Sequence, residues 1–176
     1  MYELNSPPFT LQFAQMSKAD LRRYNEWFHA VLPRRIEMLS ATIREDAGFS
    51  TWEPTGQPSS LEALGRWLER NVTTRARTAE ELQSIRSRLK FPIDIPEVEL
   101  TDRTFSLAID TGMYFGKVIL QNVSGVVWDQ KFGSKRLAEY GRPVLIGKTP
   151  VPLDPVRVMV TICYSVSNGK PIDLVG

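Results

Sequence analysis

Asp110 heads the stretch D-T-G-M-Y-F-G-K-V-I-L-Q-N, residues 110–122, with Tyr114 one helical turn further on. An aspartate on a packed helix is paired, capped or functional, because a buried carboxylate without a partner is costly. Arg103, Arg157 and the indole N–H of Trp128 are candidate partners, and a hydrogen bond at the edge of the core is the structural reading. The functional reading is a pocket near Asp110, Tyr114, Trp128 and Tyr164 that holds a ligand, a substrate or a partner side chain. No second acidic residue is tied to Asp110 by spacing, so paired-carboxylate catalysis lacks support.

Gly112 and Gly116 in the same stretch raise the question of a phosphate-gripping loop. Their G-x-x-x-G spacing lacks the third glycine of a dinucleotide fingerprint, and no clear strand precedes it. Lys117 follows Gly116 without the upstream glycine that a Walker loop requires. Phe105, Ala108, Ile109, Gly112, Met113, Gly116, Ile119 and Leu120 fall on one face of a helix, with the glycines in the middle of the apolar stripe. Each glycine costs about 1 kcal/mol of helix propensity relative to alanine, so close packing of a second element is implied.

His29 and Cys163 are the one histidine and the one cysteine. They exclude an internal disulfide and a zinc site built from Cys and His of this chain alone. A nucleophilic Cys–His pair would rest on coincidence, and Cys163, in an apolar run, reads as a small buried hydrophobe. No catalytic signature, metal site or cofactor motif emerges.

Residues 66–90 hold seven basic side chains, Arg66, Arg70, Arg75, Arg77, Arg86, Arg88 and Lys90, against the acidic Glu69, Glu80 and Glu81. Arg66, Arg70, Arg75 and Arg77 are the candidate basic surface. A nucleic acid or an acidic protein would suit such a surface, and so would plain solvent. Trp67 is the one interleaved aromatic, and no helix-turn-helix spacing is evident.

With 176 residues, 42% of them hydrophobic and 24% charged, the chain has the composition of a soluble globular domain. A net charge of +2 selects no anionic partner by its field alone. No apolar run approaches the roughly 20 residues that span a bilayer, and the first residues lack the pattern of a secretory signal. The expectation is a cytoplasmic setting with no membrane partner.

The elements follow from periodicity and caps. Ser17 caps a helix with the stripe Leu21, Tyr24, Phe28 and Leu32; Pro33 ends or bends it, and Ile36, Leu39 and Ile43 continue the period towards Gly48. Ser59 with Glu62, and Thr78 with Glu81, have the spacing of capping boxes that start two further helices. Prolines four apart make residues 91–100 an extended connector, a sub-boundary in what is otherwise read as a single domain. Residues 126–132 and 143–147 read as the strands of a hairpin. Residues 155–167 alternate like a strand, yet Asp154-Pro155 is a helix start, and helix is preferred. The fold class is α+β: a helical N-terminal half, then a helix, a two-stranded antiparallel hairpin and a C-terminal helix.

Five segments together resemble a family of small uncharacterised bacterial proteins: P-S-S-L-E-A-L-G-R-W-L at 58–68, D-T-G-M-Y-F-G at 110–116, V-V-W around Trp128, R-P-V-L-I-G at 142–147 and P-L-D-P-V-R at 152–157. The resemblance implies an α+β fold and a helix at 155–167, and it brings no activity with it. Some such proteins look like immunity or inhibitor proteins of bacterial toxin systems. The expected function is a non-enzymatic protein that binds another protein through its surface. The alternatives are a small-ligand-binding domain or enzyme with the pocket near Asp110 and Trp128, and a nucleic-acid accessory protein using residues 66–90.

Overall fold

Helix α4 (Asp102–Asn122) is buried around most of its circumference, from Thr104 through Val118, and the other elements are assembled on it. A helix that is apolar or satisfied on nearly every side belongs at the centre of a fold. The computed structural model describes residues 1–172 and residue 174.

Against α4 lies α1 (Lys18–Arg44), capped by Ser17, whose hydroxyl accepts the Asp20 N–H at 3.0 Å. Pro33 neither ends nor divides it, because buried residues on both sides, Phe28 before and Ile36 after, hold the helix to the core. Then follow α2 (Ser59–Asn71), the strand β1 (Thr74–Ala76), α3 (Ala79–Arg88) and the strand β2 (Val98–Leu100). The capping box of Thr78 and Glu81 forms with both of its hydrogen bonds. The one expected at Ser59 does not: Pro58 already has helical backbone angles, and Leu61 N–H bonds the Pro58 carbonyl at 2.9 Å.

β1 and β2 pair antiparallel with Thr74 opposite Leu100, so the proline-rich connector ends in a strand that its composition did not announce. β3 (Val127–Gln130) and β4 (Pro143–Ile146) form the expected hairpin, with Trp128 opposite Leu145. Residues 155–167 are helix, α5 (Pro155–Ser167), with the Asp154 carboxylate accepting the Arg157 N–H at 3.0 Å. Cap and N-terminal proline thus prevail over the β-branched alternation. No helix among the described residues is long and apolar enough to cross a membrane.

The buried side chains form two clusters. One gathers Ile36, Leu39, Leu64, Trp67, Leu107 and Met159; the other gathers Phe13, Leu21, Tyr24, Phe28, Met113 and Tyr140. Helices α1 and α4 contribute to both. The glycines of α4 set how near its neighbours come. A Cβ on Gly112 would stand 2.6 Å from Val156 Cα and 2.9 Å from the Pro155 carbonyl oxygen, so α5 starts against bare backbone. On Gly116 it would stand 2.6 Å from the Trp128 ring. The α5 backbone cannot yield as a side chain can. Gly112→Ala is therefore expected to destabilise the protein by about 1–3 kcal/mol in denaturant unfolding. Gly133→Ala, with no atom nearer than 4.0 Å, should stay within about 0.5 kcal/mol of wild type. Equal losses for the two variants would contradict the packing role.

Candidate functional site

Asp110 is fully buried, and its partner is Arg35 on α1, itself only 5% exposed. The guanidinium grips the carboxylate with both arms, Nε donating to Oδ1 at 2.8 Å and Nη2 to Oδ2 at 2.6 Å. The Tyr2 hydroxyl donates to Oδ2, and Asn5 Nδ2 donates to Oδ1 at 3.1 Å. Ser106, one turn before Asp110 on α4, accepts the Asn5 N–H at 2.6 Å and lies 2.8 Å from the Tyr2 hydroxyl. The rest of the guanidinium is satisfied as well. Nη1 and Nη2 each donate to the Glu3 carbonyl oxygen at 3.0 Å. The Tyr2 ring faces Arg35 at 5.3 Å and Arg103 at 5.6 Å.

Residues 2–5 thus lie as a strap across the meeting of α1 and α4. Burial pushes the Asp110 carboxyl pKa up, and the hydrogen bonds from Arg35 and Tyr2 oppose that rise. Burial, with the nearby Asp110 charge, also pushes the Tyr2 phenol up. A carboxylate offers about four acceptor positions, and all four are taken by this chain's own donors. None is left for a substrate. Arg103 reaches Tyr2 rather than Asp110, and Arg157 and Trp128 make no hydrogen bond to the carboxylate.

The other three residues of the candidate pocket are engaged elsewhere. Tyr114 is fully buried, its hydroxyl accepting the Gly56 N–H at 3.0 Å and lying 2.6 Å from Ser60 Oγ. It fastens the loop before α2. Trp128 fills the space above Gly116 and packs edge-on against Phe28 and His29 at 5.4 and 5.5 Å. Tyr164, half-buried, donates its hydroxyl to Glu99 Oε1 at 3.0 Å. None of the four lines any of five prominent surface clefts, of about 220 to about 410 Å³.

Cys163 and His29 are not paired: Cys163 lies in the cluster of Ile36 and Trp67, and His29 packs against Phe28 and Trp128 of the other cluster. Cys163 is fully buried, and burial pushes its thiol up to about 12. Burial pushes the His29 imidazole down. No group of three or more His, Cys, Asp or Glu side chains among the described residues could hold a metal ion. Asp154 has one buried carboxylate oxygen without a hydrogen bond, 3.8 Å from Arg142 Nη1.

The candidate basic residues lie on α2 and on β1 and the residue that follows it, and are each taken up within the protein. On α2, Arg66 pairs with Glu62 at 2.5 Å, and Arg70 lies over the Phe49 ring at 5.3 Å. Arg75, on β1, holds Glu81 through two hydrogen bonds of 2.9 and 2.8 Å, and Arg77, just past the end of that strand, pairs with Glu99. The Arg75 contact and then the Thr78 N–H hold the Glu81 carboxyl down at about 2. Arg86, Arg88 and Lys90 are exposed and form no ion pair among the described residues.

These last three belong to an arm that the connector reading overlooks. From residue 73 to residue 98 no side chain is buried. Leu82 and Ile85 of α3 are half-buried but join neither core cluster. The arm's root is pinned to the body by Arg77, Glu99 and Tyr164, and by the Thr73 N–H donating to Thr104 Oγ1 at 2.9 Å. Its tip exposes Phe91 at 73% and Ile93 at 63%. The signal available in sequence was the close succession of the cations Arg86, Arg88 and Lys90 and the apolar Phe91 and Ile93, the latter two in a segment that cannot be helix.

Removing one partner of a buried ion pair strands the other charge. Asp110→Ala or Arg35→Ala is expected to cost about 3–5 kcal/mol in denaturant unfolding, whereas Arg35→Met combined with Asp110→Leu recovers most of that loss. Additive losses in the double variant would contradict the coupling of the two side chains. Comparison of the chain with protein-family models, with curated proteins and with solved structures found no match.

Proposed function

We propose that this chain is a non-enzymatic binding protein that acts on another protein through the arm of residues 73–98. The observation that carries this reading is the exposure of Phe91 and Ile93, at 73% and 63%, on a segment that gives nothing to the core. Exposed apolar side chains grouped on one element are characteristic of surfaces that another molecule covers. The residues with chemical potential elsewhere are occupied in holding the body together, Asp110 and Tyr114 above all. An inhibitor- or immunity-type role, as the sequence resemblance implies, is one form that such binding takes.

The ligand-pocket alternative draws no support from Asp110, whose carboxylate is saturated, or from Trp128, which lines none of the described clefts. Nucleic-acid binding through residues 66–90 would have to rely on Arg86, Arg88 and Lys90, since Arg66, Arg75 and Arg77 are ion-paired and Arg70 is stacked.

The test compares the wild-type chain with a Phe91→Asp/Ile93→Asp variant as bait in an extract of the native host. The expected outcome is one or more host proteins retained by wild type and lost by the variant, with the variant's Tm unchanged. Identical retention by both chains, or turnover of a metabolite by wild type in a substrate screen, would contradict the proposal.

A further inference from the structure

Arg86, Leu89, Lys90, Phe91, Pro92 and Ile93 line a cleft of about 410 Å³ at the tip of the arm. We infer that this cleft takes an acidic segment of a partner protein, which buries a bulky apolar side chain against Leu89, Phe91 and Ile93. The inference rests on the protein-binding reading and specifies its partner. Residues 86–93 carry three cations and no acid, and none of the three cations is paired among the described residues. Arg86 and Arg88 end α3, where the helix dipole also favours cations. Lys90 lies beyond the helix, and it still lines the cleft. Two unpaired cations, Arg86 and Lys90, beside the apolar side chains of the cleft are complementary to a segment with carboxylates flanking a Leu, Phe or Trp. The aromatic anchor would carry most of the energy and the cations the selectivity.

Other occupants fit less well. A second copy of the chain would bring like charge to the cationic tip. An anionic bilayer is met by an amphipathic helix with a free apolar stripe, and on α3 Leu82 and Ile85 are already half-buried. A single-stranded nucleic acid stacks successive bases on several aromatics, and Phe91 is the one aromatic in this cleft.

The test selects a displayed library of random peptides on the intact chain, then measures the best peptide by fluorescence anisotropy. The selected peptides should be rich in Asp and Glu around one bulky apolar residue. Phe91→Ala should weaken binding by about tenfold or more. Arg86→Glu/Arg88→Glu/Lys90→Glu should abolish binding and its salt dependence. Neutral or basic selected sequences, no selected sequence, or binding unchanged in both variants would overturn the inference. So would preferential binding to phosphatidylserine vesicles or oligothymidine. In each of those cases, host-protein capture that still depends on Phe91 and Ile93 leaves the protein-binding reading standing; loss of that dependence removes both.

Discussion

The Arg35–Asp110 pair joins three parts of the chain that are far apart in sequence: the strap of residues 2–5, α1 and α4. Taking both charges out of water is expensive, and their attraction inside the protein does little more than offset that cost. The pair acts chiefly by exclusion. Any arrangement of α1 on α4 that parts the two charges leaves a buried ion without a partner, and such an arrangement is penalised by several kcal/mol. One rotation and one register of the two central helices satisfy the carboxylate, the guanidinium and the strap together.

With that seam set, α4 can serve its other neighbours with its remaining faces. Gly112 admits the backbone at the start of α5, and Gly116 admits the ring of Trp128 from the hairpin. Tyr114 reaches across to the loop before α2. Tyr164 on α5 meets Glu99 on β2, and through it Arg77, so the packing of α5 against α4 also positions the root of the arm. Interactions inside the body thereby decide where the surface segment is presented.

Local features were legible in the sequence wherever a local rule governs them. Thr78 and Glu81 form their box, and Asp154 followed by Pro155 starts a helix in spite of six alternating residues of strand character, because caps act within a few positions. The glycines of α4 showed themselves by their place in an apolar stripe. The partners of Asp110 did not, since Tyr2, Asn5 and Arg35 lie 75 or more residues away and no periodicity points to them. For the same reason Asp110, Tyr114, Trp128 and Tyr164 could be grouped by type, although each is used at a different seam. The arm was hidden by its prolines, which announce extended backbone without saying whether it crosses the core or leaves it.

The body and the arm divide the work, the one holding its shape through buried polar and apolar packing, the other offering an exposed surface. The most direct measurement replaces residues 79–96 with a short glycine–serine turn joining β1 to β2. Unfolding of this variant and its binding of the acidic peptide are then compared with those of the full chain. If the arm serves binding alone, the stability of the body stays within about 1 kcal/mol of wild type, because no buried side chain is removed, and peptide binding disappears. Collapse of the fold, or peptide binding that survives the replacement, would contradict the division.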